Sequence, residues 1–527
     1  MGNLFGKRQT RSFFGLMLGL FLWSLPPATL ADMAPVKIVV IEFHGLKQKI
    51  VQANLAELPH FKELIQGPDN QQAYVHLANV VTTIPAASVP ACTAMYTGLY
   101  PQRTGVVSTI WFDRRSLQVR TMISLGQERI NKELAAQGVA TIFDYVKAAG
   151  KQSLNCMLMV NKGADWNISS SPFFWGNASV VGLLKGGRLF PHKSYTDPKT
   201  ISAFLNGHVL AGHKSLNGLF KRYGDVPDLM VIQLLGMDLD SHFPEKRFVK
   251  QGASIESIQK DYVKTILDPQ IGRLIDAFKA HGLYEHTLFL LVSQQGALKI
   301  TEHIDDYLLN RILQSEFKLP GAETVNRAAE AIIMQGASTK EVYLKNRRTR
   351  QWGDPPRLFA DVKPAVDLLL NNAQVRNAIN ALVIRQYPGE RGEGLLENEQ
   401  WWHLKWDRYV DTDRSDQDFL KALQPVETMS QRFALGDIVI QGLNRQYTRQ
   451  TAPDIKLINK NGVYFERRSD KYGHHGSYYP DDTVVSFWLA GPGIERFFHK
   501  RQIVQKTTST LDLVPMLCYL MGIPTPT

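Results

Sequence analysis

Ser88 stands two residues ahead of Pro90, between an apolar run and a stretch of helical character. Proline is favoured in a first helical turn, where its missing N–H costs no hydrogen bond. The pair therefore marks a helix start, with Pro90 at the second helical position. A hydroxyl there has two readings. It caps the helix by accepting a backbone N–H. Or it is a nucleophile at a helix N-terminus, where N–H groups and the helix dipole favour a phosphate or sulfate. A second pair, Asp238 and His242, lies four residues apart just past an apolar run, so both side chains can turn to one point. Carboxylate and imidazole are side chains that zinc takes as ligands. A salt-bridged surface pair is the plainer reading of such a pair on its own.

The elements that must position these residues follow from hydropathy. Residues 36–42 are apolar and β-branched, as in a buried strand, and end in the turn Phe43-His44-Gly45-Leu46. Strand-like runs recur at 229–235, 287–293 and 484–490. Residues 141–149 carry apolar side chains at helical spacing and stop at Gly150. Ile271, Leu274, Ile275 and Phe278 make one helical face that stops at Gly282. This alternation predicts an α/β fold, a doubly wound and mainly parallel sheet flanked by helices. Such sheets bind ligands at the carboxyl ends of their strands. His44, the pair Asp238 and His242, and the pair Gln294 and Gln295 all fall at strand ends, and Ser88 joins them.

Residues 297–473 depart from this pattern. They hold a helix-like run at 362–384, a charged, Gly-rich patch at 388–397, and Trp401, Trp402 and Trp406. We read them as a large insertion or cap beside the active-site edge, with the tryptophans in its own core. The chain then divides into a leader at 1–31, a first part of the core at 32–296, the insertion at 297–473 and a closing part of the core at 474–527.

Lys7, Arg8 and Arg11 precede a short apolar run at 13–25 and the small-residue end Thr29-Leu30-Ala31. This is the pattern of a secretory signal peptide cut after Ala31, and it implies a periplasmic or secreted protein. The run is short of the roughly twenty residues of a membrane span, and no later segment is long and apolar enough for one. The formal charge of +11 stays strongly positive without the leader and suits an anionic small-molecule ester as substrate or ligand. The basic cluster at 345–350 reads as a solvated loop, and no nucleic-acid partner is expected. Three cysteines, Cys92, Cys156 and Cys518, exclude a disulfide framework.

Beyond Ser88, the run Thr97-Gly98-Leu99-Tyr100-Pro101 completes a longer motif. Together these residues resemble the nucleophile segment of the alkaline phosphatase superfamily, in its nucleotide pyrophosphatase/phosphodiesterase branch. Asp512-Leu513-Val514-Pro515, with Gly522-Ile523-Pro524 after it, is similar to the terminal helix of that family. The family works with two zinc ions. The resemblance implies that Asp238, His242 and His475, the last before Gly476, hold one of them, so one divalent ion, zinc foremost, is expected here.

The other half-site departs from the family. His44-Gly45 stands for its Asp-Gly, and Ser293-Gln294-Gln295-Gly296 for its Ser-Asp-His-Gly. Two carboxylates and an imidazole have become an imidazole and two amides, and amide carbonyls are poor zinc ligands. Only His44 is left to bind, with Glu42 two residues earlier on the same side. Thr109 stands where the branch has a phosphate-binding Asn.

Serine is a weak nucleophile until activated, and three readings stay open. His44 activates Ser88 as a general base. The retained metal activates a water and Ser88 stands by. Or the chain is a catalytically inactive pseudoenzyme that binds a ligand or protein partner. The first two describe an exported, single-metal hydrolase of phosphate mono- or diesters with weak or altered activity.

Overall fold

A computed structural model describes residues 36–122, 126–168, 193–206, 226–320, 328–336, 338–385, 401–433, 436–466 and 470–525. The leader and the charged patch at 388–397 lie outside the described residues.

The apolar runs form the centre of one mixed sheet. Its strands are β1 (Lys37–Phe43), β2 (Val75–Val81), β3 (Ser153–Cys156), β4 (Trp166–Ile168), β5 (Leu229–Leu234), β6 (Thr287–Val292), β7 (Val484–Ala490), β8 (Gln502–Val504) and the short β9 (Thr508–Ser509). The spatial order is β8-β2-β7-β6-β1-β5-β3-β4, with β9 also on β2. Neighbours are parallel except β7, which runs antiparallel to β2 and β6.

Both faces of the sheet are covered. The relevant helices are α1 (Pro59–Gln66), α2 (Ser88–Thr97), α3 (Ile142–Ala148), α4 (Gly236–His242), α5 (Ile255–Tyr262), α6 (Asp268–Ala280) and α7 (Leu513–Leu520). Ile38 and Val40 of β1 share one core with α2, α3 and α7. Val39, Ile41 and Phe43 share the other with α1 and α6. Strand alternation splits one strand between two apolar layers, which gives the expected doubly wound arrangement. Helix α3 begins at the capping box of Thr141 and Asp144, and the chain leaves it at Gly150 with φ +70°. The face Ile271, Leu274, Ile275 and Phe278 of α6 is buried.

A second sheet has six strands, all antiparallel, in the order Ala331–Gly336, Thr339–Leu344, Ile455–Asn459, Ile379–Arg385, Trp401–Leu404, Leu423–Pro425. One face (Ala381, Val383, Trp401, Ile458) packs into the α2 core, and the other (Leu382, Ile384, Trp402, Ile455) packs on the helix Lys363–Asn371. Trp402, with Trp406 packed against its cluster, lies in the core on the helix Lys363–Asn371, whereas Trp401 is corrected: it packs into the α2 core, because neighbouring residues of a strand face opposite sides. The expected helix at 362–384 is corrected. Asn372 caps a fresh short helix, Ala373–Ala378, and the β-branched and apolar run after it becomes the strand Ile379–Arg385. The ends of this region meet where Leu298–Lys299 pairs antiparallel with Gly473–His474. In the basic cluster Arg347 pairs with Asp361 and Glu316, so part of its charge is met locally.

Candidate active site

Three adjacent parallel strands, β6, β1 and β5, end at one edge, and each delivers its residue there. His44 follows β1 at once, Gln294 and Gln295 follow β6, and Asp238 and His242 lie on α4, which starts two residues after β5. Because β7 is antiparallel, the segment leading into it lies at the same edge and brings His475 with it. Ser88 opens α2.

The capping reading of Ser88 does not hold. Ala87 is the N-cap, Ser88 is the first helical residue, Pro90 is the third, and no side chain caps the helix. Ser88 Oγ instead lies 2.8 Å from His44 Nε2 and 3.4 Å from His475 Nε2. It also accepts a hydrogen bond from Gln295 Nε2 at 3.3 Å. Gln294 Nε2 lies 2.6 Å from His44 Nδ1. Both glutamines are wholly buried, and neither Gln294 Oε1 nor Gln295 Oε1 has a hydrogen-bond partner.

Asp238 is the anionic centre. Its Oδ2 lies 3.4 Å from His242 Nε2 and 3.8 Å from His44 Nε2, and its Oδ1 lies 3.5 Å from His475 Nε2. Burial alone would raise its carboxyl, yet His242, His44 and His475 together hold it well below the usual carboxylate range. Burial pushes the imidazoles of His44 and His475 below the ordinary histidine value, against the pull of Asp238.

These residues fit one metal ion. His242 Nδ1 donates to the Gly473 carbonyl at 2.5 Å, which leaves Nε2 as the lone-pair nitrogen. That is how metal-ligating histidines are held. Nε2 then faces a carboxylate oxygen at 3.4 Å, an arrangement that needs a proton or a cation between the two atoms. Asp238 Oδ1 is buried without a hydrogen-bond partner. His44, Asp238 and His475 also offer ligand atoms within 4.8 Å of one another, so His44 and His242 compete for the third place. His242 Nε2 is the nearer of the two to Asp238, whereas the group whose ligand atoms all converge is His44, Asp238 and His475.

Two further residues fall out of the cluster. Ile38, Val40 and Glu42 share the β1 face toward α2. Its carboxylate accepts from Gln233 Nε2 at 2.9 Å, and the same amide nitrogen lies 3.9 Å from Cys92 Sγ. Burial raises the Glu42 carboxyl to about 7, against the hydrogen bond from Gln233. Glu42 is thus part of the floor and not of the ligand cluster. Thr109 is half-buried before the strand Ile110–Asp113, and its carbonyl accepts from Met122 N–H. No hydrogen bond joins its side chain to Ser88.

Sequence reasoning missed the residues that hold the cluster together. Gln259 on α5 donates to the Gly45 carbonyl at 2.6 Å and to Ser241 Oγ at 3.2 Å, and accepts from Lys47 N–H at 3.0 Å. It ties the β1 turn to α4. Asp197 accepts from Gly236 N–H and Tyr262 Oη, anchoring the start of α4. Asp482 accepts from Ser477 N–H and Oγ, closing the loop that carries His475. A Cβ at Gly296 would overlap the Asp481 carbonyl, so glycine after Gln295 lets the two loops touch. That Gly and Gly45, each directly after a site residue, were the only hints in the sequence.

A model of the family described as type I phosphodiesterase/nucleotide pyrophosphatase matches residues 38–384. No curated protein sequence matches the chain. Among solved structures, murine ectonucleotide pyrophosphatase/phosphodiesterase 5 is similar with a TM-score of 0.54 and 13% identity, covering 93% of this chain and 96% of that one. An inactive variant of that murine protein in complex with AMP gives 0.53 and 13% over the same shares. The human counterpart gives 0.52 and 12%, again over 93% and 96%. At such identity the likeness is one of fold.

Proposed function

Because the chain belongs to the type I phosphodiesterase/nucleotide pyrophosphatase family, we propose that it hydrolyses small anionic phosphate esters, diesters foremost. In this reading Ser88 is the nucleophile, His44 its general base, and Asp238, His242 and His475 hold a single divalent ion. The observation that carries the reading is the 2.8 Å approach of Ser88 Oγ to His44 Nε2, made by a serine that opens a helix without capping it.

The chain's own residues divide the work. Ser88 Oγ attacks phosphorus as His44 Nε2 takes its proton. The bond from phosphorus to the leaving alcohol breaks, and the imidazole returns the proton to that alcohol. Water then attacks the phosphoserine and gives a proton to His44. Oγ leaves and takes that proton back. A divalent ion at Asp238, His242 and His475 would supply Lewis-acid polarisation of the phosphoryl oxygens. Zinc is the ion this donor set suits.

A second ion beside Ser88 is not part of the proposal. The groups there are His44 and the amides of Gln294 and Gln295, which lack the charge zinc favours. Thr109 is retained as a substrate-phosphate donor. The murine relative's complex with AMP makes nucleotide esters the first natural substrates to try. The basic leader and its short apolar run support export to the periplasm or beyond the cell. No helix among the described residues is long and apolar enough to cross a membrane.

The test uses purified protein with and without added zinc, on bis-para-nitrophenyl phosphate, para-nitrophenyl phosphate and para-nitrophenyl sulfate. Zinc-dependent release from the diester, lost in Ser88→Ala, is expected. If the protein binds zinc and turns over none of the three, it is a binding protein on this scaffold.

A further inference from the structure

We propose that Ser338 is a positioning residue for His475, so that the second sheet, and not the core alone, holds the metal-binding loop in place. The inference deepens the reading of His475 as a metal ligand and rests on it.

His475 lacks the support that His242 has. The ring of His242 is tied through Nδ1 to the Gly473 carbonyl, whereas His475 Nδ1 is buried with no hydrogen-bond partner among the described residues. Metal-ligating histidines are usually oriented through that second nitrogen. The ring of His475 is therefore aimed by its backbone and by packing. That backbone is held from two sides. Past His475, Asp482 accepts from Ser477 N–H and Oγ. On the near side, Ser338 Oγ lies 2.7 Å from His474 Nδ1 and donates to the His475 carbonyl at 3.4 Å. A hydroxyl can accept one hydrogen bond and donate another, so one oxygen grips both residues.

Ser338 is itself buried and anchored. It lies between the strands Ala331–Gly336 and Thr339–Leu344 of the second sheet, and its carbonyl accepts from Asn459 N–H at 3.3 Å. The Asn459 carbonyl in turn accepts from Tyr479 Oη at 3.2 Å, on the far side of His475. The contacts close a ring that runs from Ser338 through His474 and His475 to Tyr479, Asn459 and back. His475 Nε2, 3.5 Å from Asp238 Oδ1, hangs from that ring. Coupling between two sites is reciprocal. If the sheet holds the loop for the metal, the metal holds the sheet.

The test compares wild type with Ser338→Ala, Ser338→Thr and His475→Ala by zinc titration, and by hydrogen–deuterium exchange with and without zinc. Ser338→Ala should bind zinc about 10-fold or more weakly. Ser338→Thr keeps the hydroxyl and should recover most of that loss. In wild type, zinc should slow exchange in the peptides that carry Ser338 and Asn459 as well as in the loop around His475. In Ser338→Ala the slowing should persist in the loop and vanish from Ser338 and Asn459. A residue that only stabilised the fold would speed exchange alike with and without zinc and leave the affinity unchanged. Wild-type affinity in a folded Ser338→Ala, or zinc protection that reaches Asn459 without the hydroxyl, overturns the proposal. If Ser338→Ala does not fold, the wild-type exchange decides: no zinc effect at Ser338 and Asn459 overturns it. Wild-type affinity in His475→Ala would overturn the ligand reading and the proposal together, whereas zinc lost in His475→Ala and kept in Ser338→Ala overturns the proposal alone.

Discussion

Asp238 packs so closely on Gly45 that a Cβ at position 45 would lie 3.0 Å from Asp238 Oδ1. Gly45 also has φ +81°, a conformation that other residues adopt at a cost of about 1–2 kcal/mol. The turn after β1 is thus shaped around the carboxylate at the centre of the site. Gly45→Ala should destabilise the fold by about 1–3 kcal/mol and push Asp238 off its histidines. Urea unfolding and zinc titration, run on the same preparation, check both halves of this expectation.

Gln259 bridges the same turn to α4 through its contacts with Gly45, Lys47 and Ser241. Gln259→Leu leaves buried backbone groups unpaired, each costing about 1–3 kcal/mol. Zinc affinity should fall, because the β1 turn and α4 lose their tie. Isothermal titration with zinc against wild type measures it. Unchanged affinity in a well-folded variant would show that the tie does not position the ligands.

Most of the sheet was legible because its strands are apolar, β-branched and bounded by turns, and motif resemblance singled out Ser88, His44, Asp238 and His475 as candidates, which the structure brings within reach of one another. The antiparallel run of β7 was not legible, since a buried strand reads alike in either direction. The stretch at 362–384 misled because apolar residues at helical spacing continue straight into the strand Ile379–Arg385. That Ser88 does not cap its helix depends on a one-residue shift of the helix start. Gln259, Asp197 and Asp482 carry no motif. Their importance comes from three-dimensional partners far away in sequence.

Burial raises the Asp482 carboxyl to about 7, against the hydrogen bonds from Ser477. In the unfolded chain it ionises near pH 4. Between about pH 4 and pH 7 the folded state therefore holds the extra proton, and stability falls as pH rises through that window, by ~2–4 kcal/mol for this group. Asp482→Asn can make both contacts with Ser477 without titrating. Denaturation profiles across the window should be flatter for the variant than for wild type by this amount, and parallel profiles would contradict the assignment.

Rebuilding the absent ligands is a stringent check on the geometry. His44→Asp, Gln294→Asp and Gln295→His together should place two carboxylates and an imidazole around Ser88. Elemental analysis should then rise from close to one zinc per chain toward two. A folded triple variant that takes up no further zinc would show that these three positions do not converge as described.

The central claim is that Ser88 and His44 act as one unit, and a double-mutant cycle on diester hydrolysis tests it most directly. Ser88→Ala, His44→Ala and the double variant are compared with wild type at saturating zinc, after circular dichroism and zinc content confirm that each is folded and loaded. Each single change should lower kcat/KM by about 10²–10⁴-fold, and the double variant should be little worse than either. Near-wild-type hydrolysis by Ser88→Ala would contradict the account.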